Sequence, residues 1–152
     1  MEIKRLLVTT DLSEKSAEVF DLAAYEAKMK GAEIDLVHIL SPTTAYYYPS
    51  GLEMGYENVI TEYREHEKKS VKKQMENFVE EKFHGIKVNI CLLEFGGSEG
   101  ELIANYAKKK KADAIMIASA GRGVLGQVFT GSTVLRVLQY AECPVIVVPV
   151  HQ

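Results

Sequence analysis

Residues 112–133 read Ala-Asp-Ala-Ile-Met-Ile-Ala-Ser-Ala-Gly-Arg-Gly-Val-Leu-Gly-Gln-Val-Phe-Thr-Gly-Ser-Thr. The run from Ala114 to Ala118 is apolar throughout, as a strand covered on both faces must be, which is the mark of a parallel sheet. Glycines then recur through the loop, and an amphipathic helix opens at Ser132. Glycine lets a backbone curl and approach an anion, while Gly131, Ser132 and Thr133 would present N–H groups and hydroxyls at a helix start. Strand, glycine loop and helix in that order suit a phosphate. The same glycines would also serve a tight strand-to-helix turn with no ligand.

Working outward, residues 5–10, 33–40, 88–95 and 144–149 read as further strands, being short, apolar and bounded by turn or cap residues. Between the strands lie helical stretches at 13–30, about 56–83, 99–110 and 132–140. Ser13 and Ser98 stand where N-caps belong, and Gly31 where a C-cap belongs. Strand and helix alternate over the whole chain, so right-handed crossovers and a three-layer α/β sandwich with five parallel strands are expected. In such sheets ligands bind beyond the carboxyl ends of the strands. Asp11, after the first strand, and the glycine loop, after the fourth, should therefore share one rim.

The chain has 152 residues, 47% of them hydrophobic, which predicts one domain over residues 1–152. A net charge of −3 offers no general attraction to nucleic acid or to an anionic membrane, so neither partner is expected. The longest aliphatic runs are far too short to span a bilayer, and a cytoplasmic protein is expected. Cys91 and Cys143 lie far apart in strand-like segments and read as buried thiols rather than as a disulfide or a metal pair. Tyr46 to Tyr48, in the long second connection, either cover a pocket or partner or form an ordinary loop.

Several motifs together carry a family resemblance. Gly121, nine residues, Gly131-Ser132, and then Cys143-Pro144-Val145-Ile146-Val147-Val148-Pro149 resemble the closing signature of the universal stress protein family. Leu6-Leu7-Val8-Thr9-Thr10-Asp11 resembles its first strand and acidic residue, Leu36-Val37-His38-Ile39 its second strand, and Ala112-Asp113-Ala114-Ile115 the start of its fourth. The resemblance implies a sheet in the order 3-2-1-4-5, helices on both faces, and a homodimer formed through the last strand. It also implies binding of ATP, with AMP or ADP as alternatives, and with Mg or Mn held through the phosphates. Carried over, Gly121, Gly131 and Ser132 match the phosphate cradle, Asp11 the acidic residue near ribose and base, and Ile39 a position whose backbone meets adenine. Thr10, Arg122 and Thr133 adjoin these positions. Ala118 stands where the nucleotide-binding members have the first glycine of Gly-x-x-Gly-x9-Gly-[Ser/Thr], and Ala120 where a larger polar residue is frequent. A methyl at 118 matters only if its φ is positive or ribose packs tightly there.

Other motifs fall away. Gly121-x-Gly123-x-x-Gly126 fits a dinucleotide fingerprint formally, but no acidic residue ends the next strand. Ser132, His38 and Asp11 lack the Gly-x-Ser-x-Gly elbow of a hydrolase triad. Lys108 to Lys111 read as a solvated helix end, where cations complement the dipole. The expected function is an ATP-binding stress-response switch or sensor with no catalytic residue assigned. The alternatives are a nucleotide-free dimeric interaction module and a slow ATPase or phosphotransfer enzyme.

Overall fold

A computed structural model describes residues 1–40, 53–119 and 131–150, the side chains at 16, 17 and 53–59 apart. The elements are β1 (Arg5–Thr9), α1 (Ser16–Lys30), β2 (Glu33–Leu40), α2 (Glu53–Lys82), β3 (Val88–Glu94), α3 (Glu99–Lys110), β4 (Ala114–Ala118), α4 (Ser132–Tyr140) and β5 (Val145–Val148). The five strands form one parallel sheet in the order β3-β2-β1-β4-β5.

Strand alternation divides the core in two. Leu6, Val8, Ile34, Leu36 and Met116 face α1 and α2, where Val19, Phe20, Ala23, Val71 and Met75 meet them. Leu7, Val37, Ile115 and Ile117 face α3 and α4, against Ile103, Ala107, Val134 and Val137. Phe20 of α1 joins the first layer to α2, its ring 5.2 Å from Phe78 and 5.4 Å from Phe83 in tilted contacts. Both faces of β1 and β4 are thereby covered, which is why their sequences are apolar without alternation.

Three local features fix how the elements join. Gly31 ends α1 in the left-handed region at φ 64°, a conformation that costs glycine little. Asp113 accepts the backbone N–H groups of Lys4 at 2.9 Å and Arg5 at 2.8 Å, tying the start of β4 to that of β1. This gives the Ala-Asp-x-Ile motif its structural purpose. Gly100 lies where α3 crosses α4: an added Cβ would stand 2.4 Å from the Arg136 Cβ and 2.5 Å from the Thr133 carbonyl oxygen. Only a residue without a side chain lets the two helices approach so closely.

Some boundaries differ from the sequence reading. The first helix begins at Ser16, not residue 13, because Ser13 is held by Asp11 and Leu12 takes a φ of 68° that no helix continues. Ser98 stands at the N-cap of α3 as expected, but its side chain makes no capping bond. The second helix starts at Glu53 and ends at Lys82. The Tyr46–Tyr48 segment lies outside the described residues. Among the described residues no helix is long and apolar enough to cross a membrane.

Candidate functional site

The order β2-β1-β4 puts the switch in chain direction between β1 and β4, where open α/β sheets bind ligands at the carboxyl ends of their strands. Register brings the expected residues of three neighbouring strands to that rim. Thr9 pairs with Val37 and Val8 with Met116, so Thr10, Ile39 and Ala118 all lie within a few residues of one another's strand ends.

The β1 end is tightly held. Thr10, only 7% exposed, donates its N–H to the Val37 carbonyl at 2.9 Å, and its Oγ1 accepts the Leu12 N–H at 3.0 Å. Nδ1 of His38 donates to the Thr10 carbonyl at 2.9 Å, which makes His38 a rim residue anchored by a hydrogen bond. Asp11 Oδ1 accepts both the N–H (2.9 Å) and the hydroxyl (2.5 Å) of Ser13. These bonds fix the direction of the Asp11 carboxylate. They also hold Leu12 at a positive φ that costs a branched residue about 1 kcal/mol or more.

The β4 end leads to the helix. Ser119 donates its N–H to Val148 at 2.8 Å, and its hydroxyl accepts the Val150 N–H at 3.2 Å. Its carbonyl accepts the Gly131 N–H at 3.2 Å, so the start of α4 is pinned to the end of β4. Ser119 is a positioning residue that carried no sequence signal beyond its place after a strand. Ala118 has no positive φ and its methyl packs among the residues facing α1, on the opposite side of the sheet from α4. The residue that departs from the family motif therefore carries its extra methyl away from the α4 side of the rim.

Gly131 is the N-cap of α4 at φ −57° and ψ 156°, values open to any residue. A Cβ built there would have its nearest neighbour, the Ser119 carbonyl oxygen, 4.0 Å away. Neither the backbone angles nor packing with the described residues requires glycine at this position. Among the described residues no side chain caps α4. The first N–H groups of any helix lack intrahelical partners and carry partial positive charge, so the first turn of α4 is suited to an anion. The Thr133 hydroxyl is turned to α3, donating to Glu99 at 3.4 Å, and Ser132 is exposed. Gly121 and Arg122 lie outside the described residues.

A second polar cluster sits at the other end of the strands, where no sequence motif pointed. Arg5 donates to both oxygens of Asp35, at 3.1 and 3.0 Å, and also bonds Glu33. Asn89 donates to Asp35 at 2.8 Å, and Lys87 pairs with Glu33 at 2.8 Å. Asp35 is 1% exposed. The hydrogen bond from Lys87 holds the Glu33 carboxyl below its ordinary range, against a smaller opposing effect of desolvation. Nearby, the Tyr106 hydroxyl donates to the Cys91 thiol at 3.0 Å. Burial pushes the Cys91 thiol up, and pushes the Tyr106 hydroxyl well up. Both cysteines are free thiols, but half-buried rather than buried as the sequence suggested.

Residues 2–149 match the model of the Universal stress protein family. Universal stress protein YxiE of Bacillus subtilis is 31% identical, over 95% of this chain and 97% of its own length. A universal stress protein of Methanocaldococcus jannaschii is 30% identical, over 95% and 81% respectively. Among solved structures, hypothetical protein MJ0577 superposes with a TM-score of 0.81 at 22% identity, covering 100% of this chain and 99% of that one. The universal stress protein of Archaeoglobus fulgidus in complex with dAMP gives 0.62 at 24% identity, with 97% and 98% covered. A universal stress protein in complex with cAMP gives 0.61 at 16% identity, with 98% of each covered. With its sheet order, its layers and a family match running nearly end to end, the chain belongs to the universal stress protein family.

Proposed function

We propose that this protein binds an adenine nucleotide, ATP in the first instance, at the rim formed by β1, β2, β4 and α4, and acts as a nucleotide-dependent switch or sensor in a stress response. The observation that carries the reading is Gly131. A glycine with an ordinary φ, a Cβ position that no described residue crowds and a helix start that no described side chain caps fits a backbone kept bare for an anion. In this reading Ser132 and Thr133 supply N–H groups to the phosphates, Thr10 and Asp11 face ribose and base, and the Ile39 backbone meets adenine. Gly121 completes the cradle by its match to the family motif, and Arg122, next to it in sequence, is the cation nearest the phosphates in this reading. The structural neighbours that carry dAMP and cAMP support an adenine ligand.

A divalent ion, Mg or Mn, enters this proposal only as a companion of the phosphates. Among the described residues no three His, Cys, Asp or Glu side chains gather within metal-holding range. We assign no catalytic residue. Calorimetric titration with ATP and Mg²⁺, with mass spectrometry of nucleotide released from the denatured protein, tests the reading. Saturable binding supports it, and the absence of both heat and co-purified nucleotide overturns it in favour of a nucleotide-free interaction module.

The proposal includes a homodimer through β5, a short edge strand whose Val145, Ile146 and Val147 remain partly exposed. Leu135 and Leu138 of α4 are also exposed, at 57% and 50%. Val147 is the informative position, because Val148 is only 9% exposed and belongs to the core facing α1. Val147→Glu should reduce the mass in light scattering to that of a monomer, and an unchanged mass would contradict the interface.

A further inference from the structure

The edge of the sheet opposite β5 is β3, seven residues long and, among the described residues, paired on one side only, with β2. The Ile34 N–H bonds the Lys87 carbonyl. By the alternation of a parallel ladder, Val88, Ile90 and Leu92 therefore turn their own N–H and C=O groups away from the sheet. Proteins ordinarily blunt such an edge with charge, proline, a bulge or a cover. Here residues 88–93 contain neither charge nor proline, and every one of them is partly exposed. Beside the edge, on the α3 face, lies a cavity of about 550 Å³ lined in part by Asn89, Cys91, Leu93, Tyr106 and Lys110, with the mutually paired Arg5, Glu33, Asp35 and Lys87 at one end.

The charge along this edge is one-sided. Each bordering carboxylate is already bonded: Glu33 by Arg5 and Lys87, Asp35 by Arg5 and Asn89, and Glu94 by Lys68. Lys110, with its Nζ 5.7 Å above the Tyr106 ring, has no carboxylate within ion-pair distance among the described residues. We propose that β3 docks an extended peptide segment of a partner protein by strand addition, with acidic side chains of the peptide over the cavity face toward Lys110 and apolar ones over the α2 face. Backbone bonds to Val88, Ile90 and Leu92 supply affinity, and the cavity face selects charge.

Fluorescence anisotropy with an end-capped, fluorescein-labelled heptapeptide of alternating valine and glutamate tests this. Saturable binding is expected, weakened roughly tenfold or more by Leu92→Pro and severalfold by Lys110→Glu. Proline at 92 removes an N–H that the ladder does not use, and circular dichroism checks that the variant folds. The same peptide N-methylated at alternate residues should not bind, an outcome independent of how any variant folds. No saturable binding at millimolar peptide overturns the proposal. Equal binding of the lysine-for-glutamate peptide, or equal binding of free valyl-glutamate, does so as well, the last by making the cavity a small-molecule site.

Discussion

At the amino ends of the strands Arg5, Glu33, Asp35, Lys87 and Asn89 bond one another, whereas at the carboxyl ends the first turn of α4 has no side-chain cap and Gly131 adds no side chain at all. Both ends expose backbone termini of the same five strands, so the contrast comes from the side chains at one end and the start of α4 at the other. One end directs its polar groups inward, into a closed network around the buried Asp35 carboxylate. The other bonds Thr10, Asp11 and Ser119 into fixed loops and leaves helix donors facing outward. If the proposed nucleotide site is right, stability and ligand binding fall at opposite ends of one sheet, and substitutions at the two ends should separate them.

The largest effect belongs to the closed end. Asp35→Ala strips Arg5 of the partner it bonds through both oxygens and leaves Asn89 only its longer 3.5 Å bond to Glu33, in a place 1% exposed. Breaking a buried pair from one side costs about 3 to 5 kcal/mol, and the lower figure applies because the Arg5 side chain is 28% exposed. The urea midpoint should fall accordingly while the ATP dissociation constant of the remaining folded protein stays unchanged. A loss of affinity matching the loss of stability would erase the division between the ends.

Gly100→Ala tests the element that joins the cradle to the core. The new methyl cannot be accommodated beside the Arg136 Cβ and the Thr133 carbonyl, so the first turns of α3 and α4 must move apart. Overpacking of this kind costs about 1 to 3 kcal/mol. Because Thr133 belongs to the proposed phosphate turn, this variant alone should lose stability and nucleotide affinity together. Thermal unfolding and calorimetry on one preparation measure both.

The fold was legible because the strands of a sheet covered on both faces need unbroken apolar runs: 114–118 in particular fits no half-exposed surface. The boundaries of β2, β4, α3 and α4 agree with the sequence reading for the same reason, with cap residues bracketing short periodic runs. The start of α1 was not legible, since Ser13 looks like an N-cap and becomes one end of an Asp11 turn only once Leu12 adopts its positive φ. At the proposed site, Asp11, Ile39 and Gly131 were nominated by the family resemblance and Thr10 as the neighbour of Asp11. Ser119 and Gly100 were not: one acts through its backbone and the other through the absence of a side chain at a helix crossing, and a lone glycine inside a helical pattern does not reveal what it packs against. The Arg5–Asp35 network was equally hidden, because its members are far apart in sequence and share only a register.

Gly131→Val is the counterpart of Asp35→Ala at the open end. The backbone angles admit valine, and the nearest described atom to the new Cβ is 4.0 Å away, so urea stability should fall only by the loss of a glycine N-cap, about 1 kcal/mol or less. The branched side chain would fill the space where the proposed phosphates lie, and ATP affinity should fall roughly tenfold or more, about 1.4 kcal/mol. Retained affinity with a retained fold would remove Gly131 from the cradle and leave α4 a merely structural helix.

The smallest effect concerns Cys91, which lies on β3 beyond Asn89 and away from both ends' principal groups. Burial raises its thiol above the ordinary value, and the hydrogen bond from Tyr106 only partly offsets this. The unfolded thiol loses its proton near pH 8.5 while the folded one retains it longer, so between the two values the unfolded chain binds fewer protons. The stability associated with this group is therefore complete below about pH 8.5 and is lost as pH rises through the folded value. Cys143 is raised by burial as well, so the comparison must be between wild type and Cys91→Val, with urea midpoints taken on both sides of the ordinary thiol range. The wild type should lose more stability on the alkaline side than the variant does, and ATP affinity should be the same in both. Parallel curves would mean that water reaches the Cys91 thiolate freely, and that this stretch of β3 is open on its cavity face rather than shielded by Tyr106.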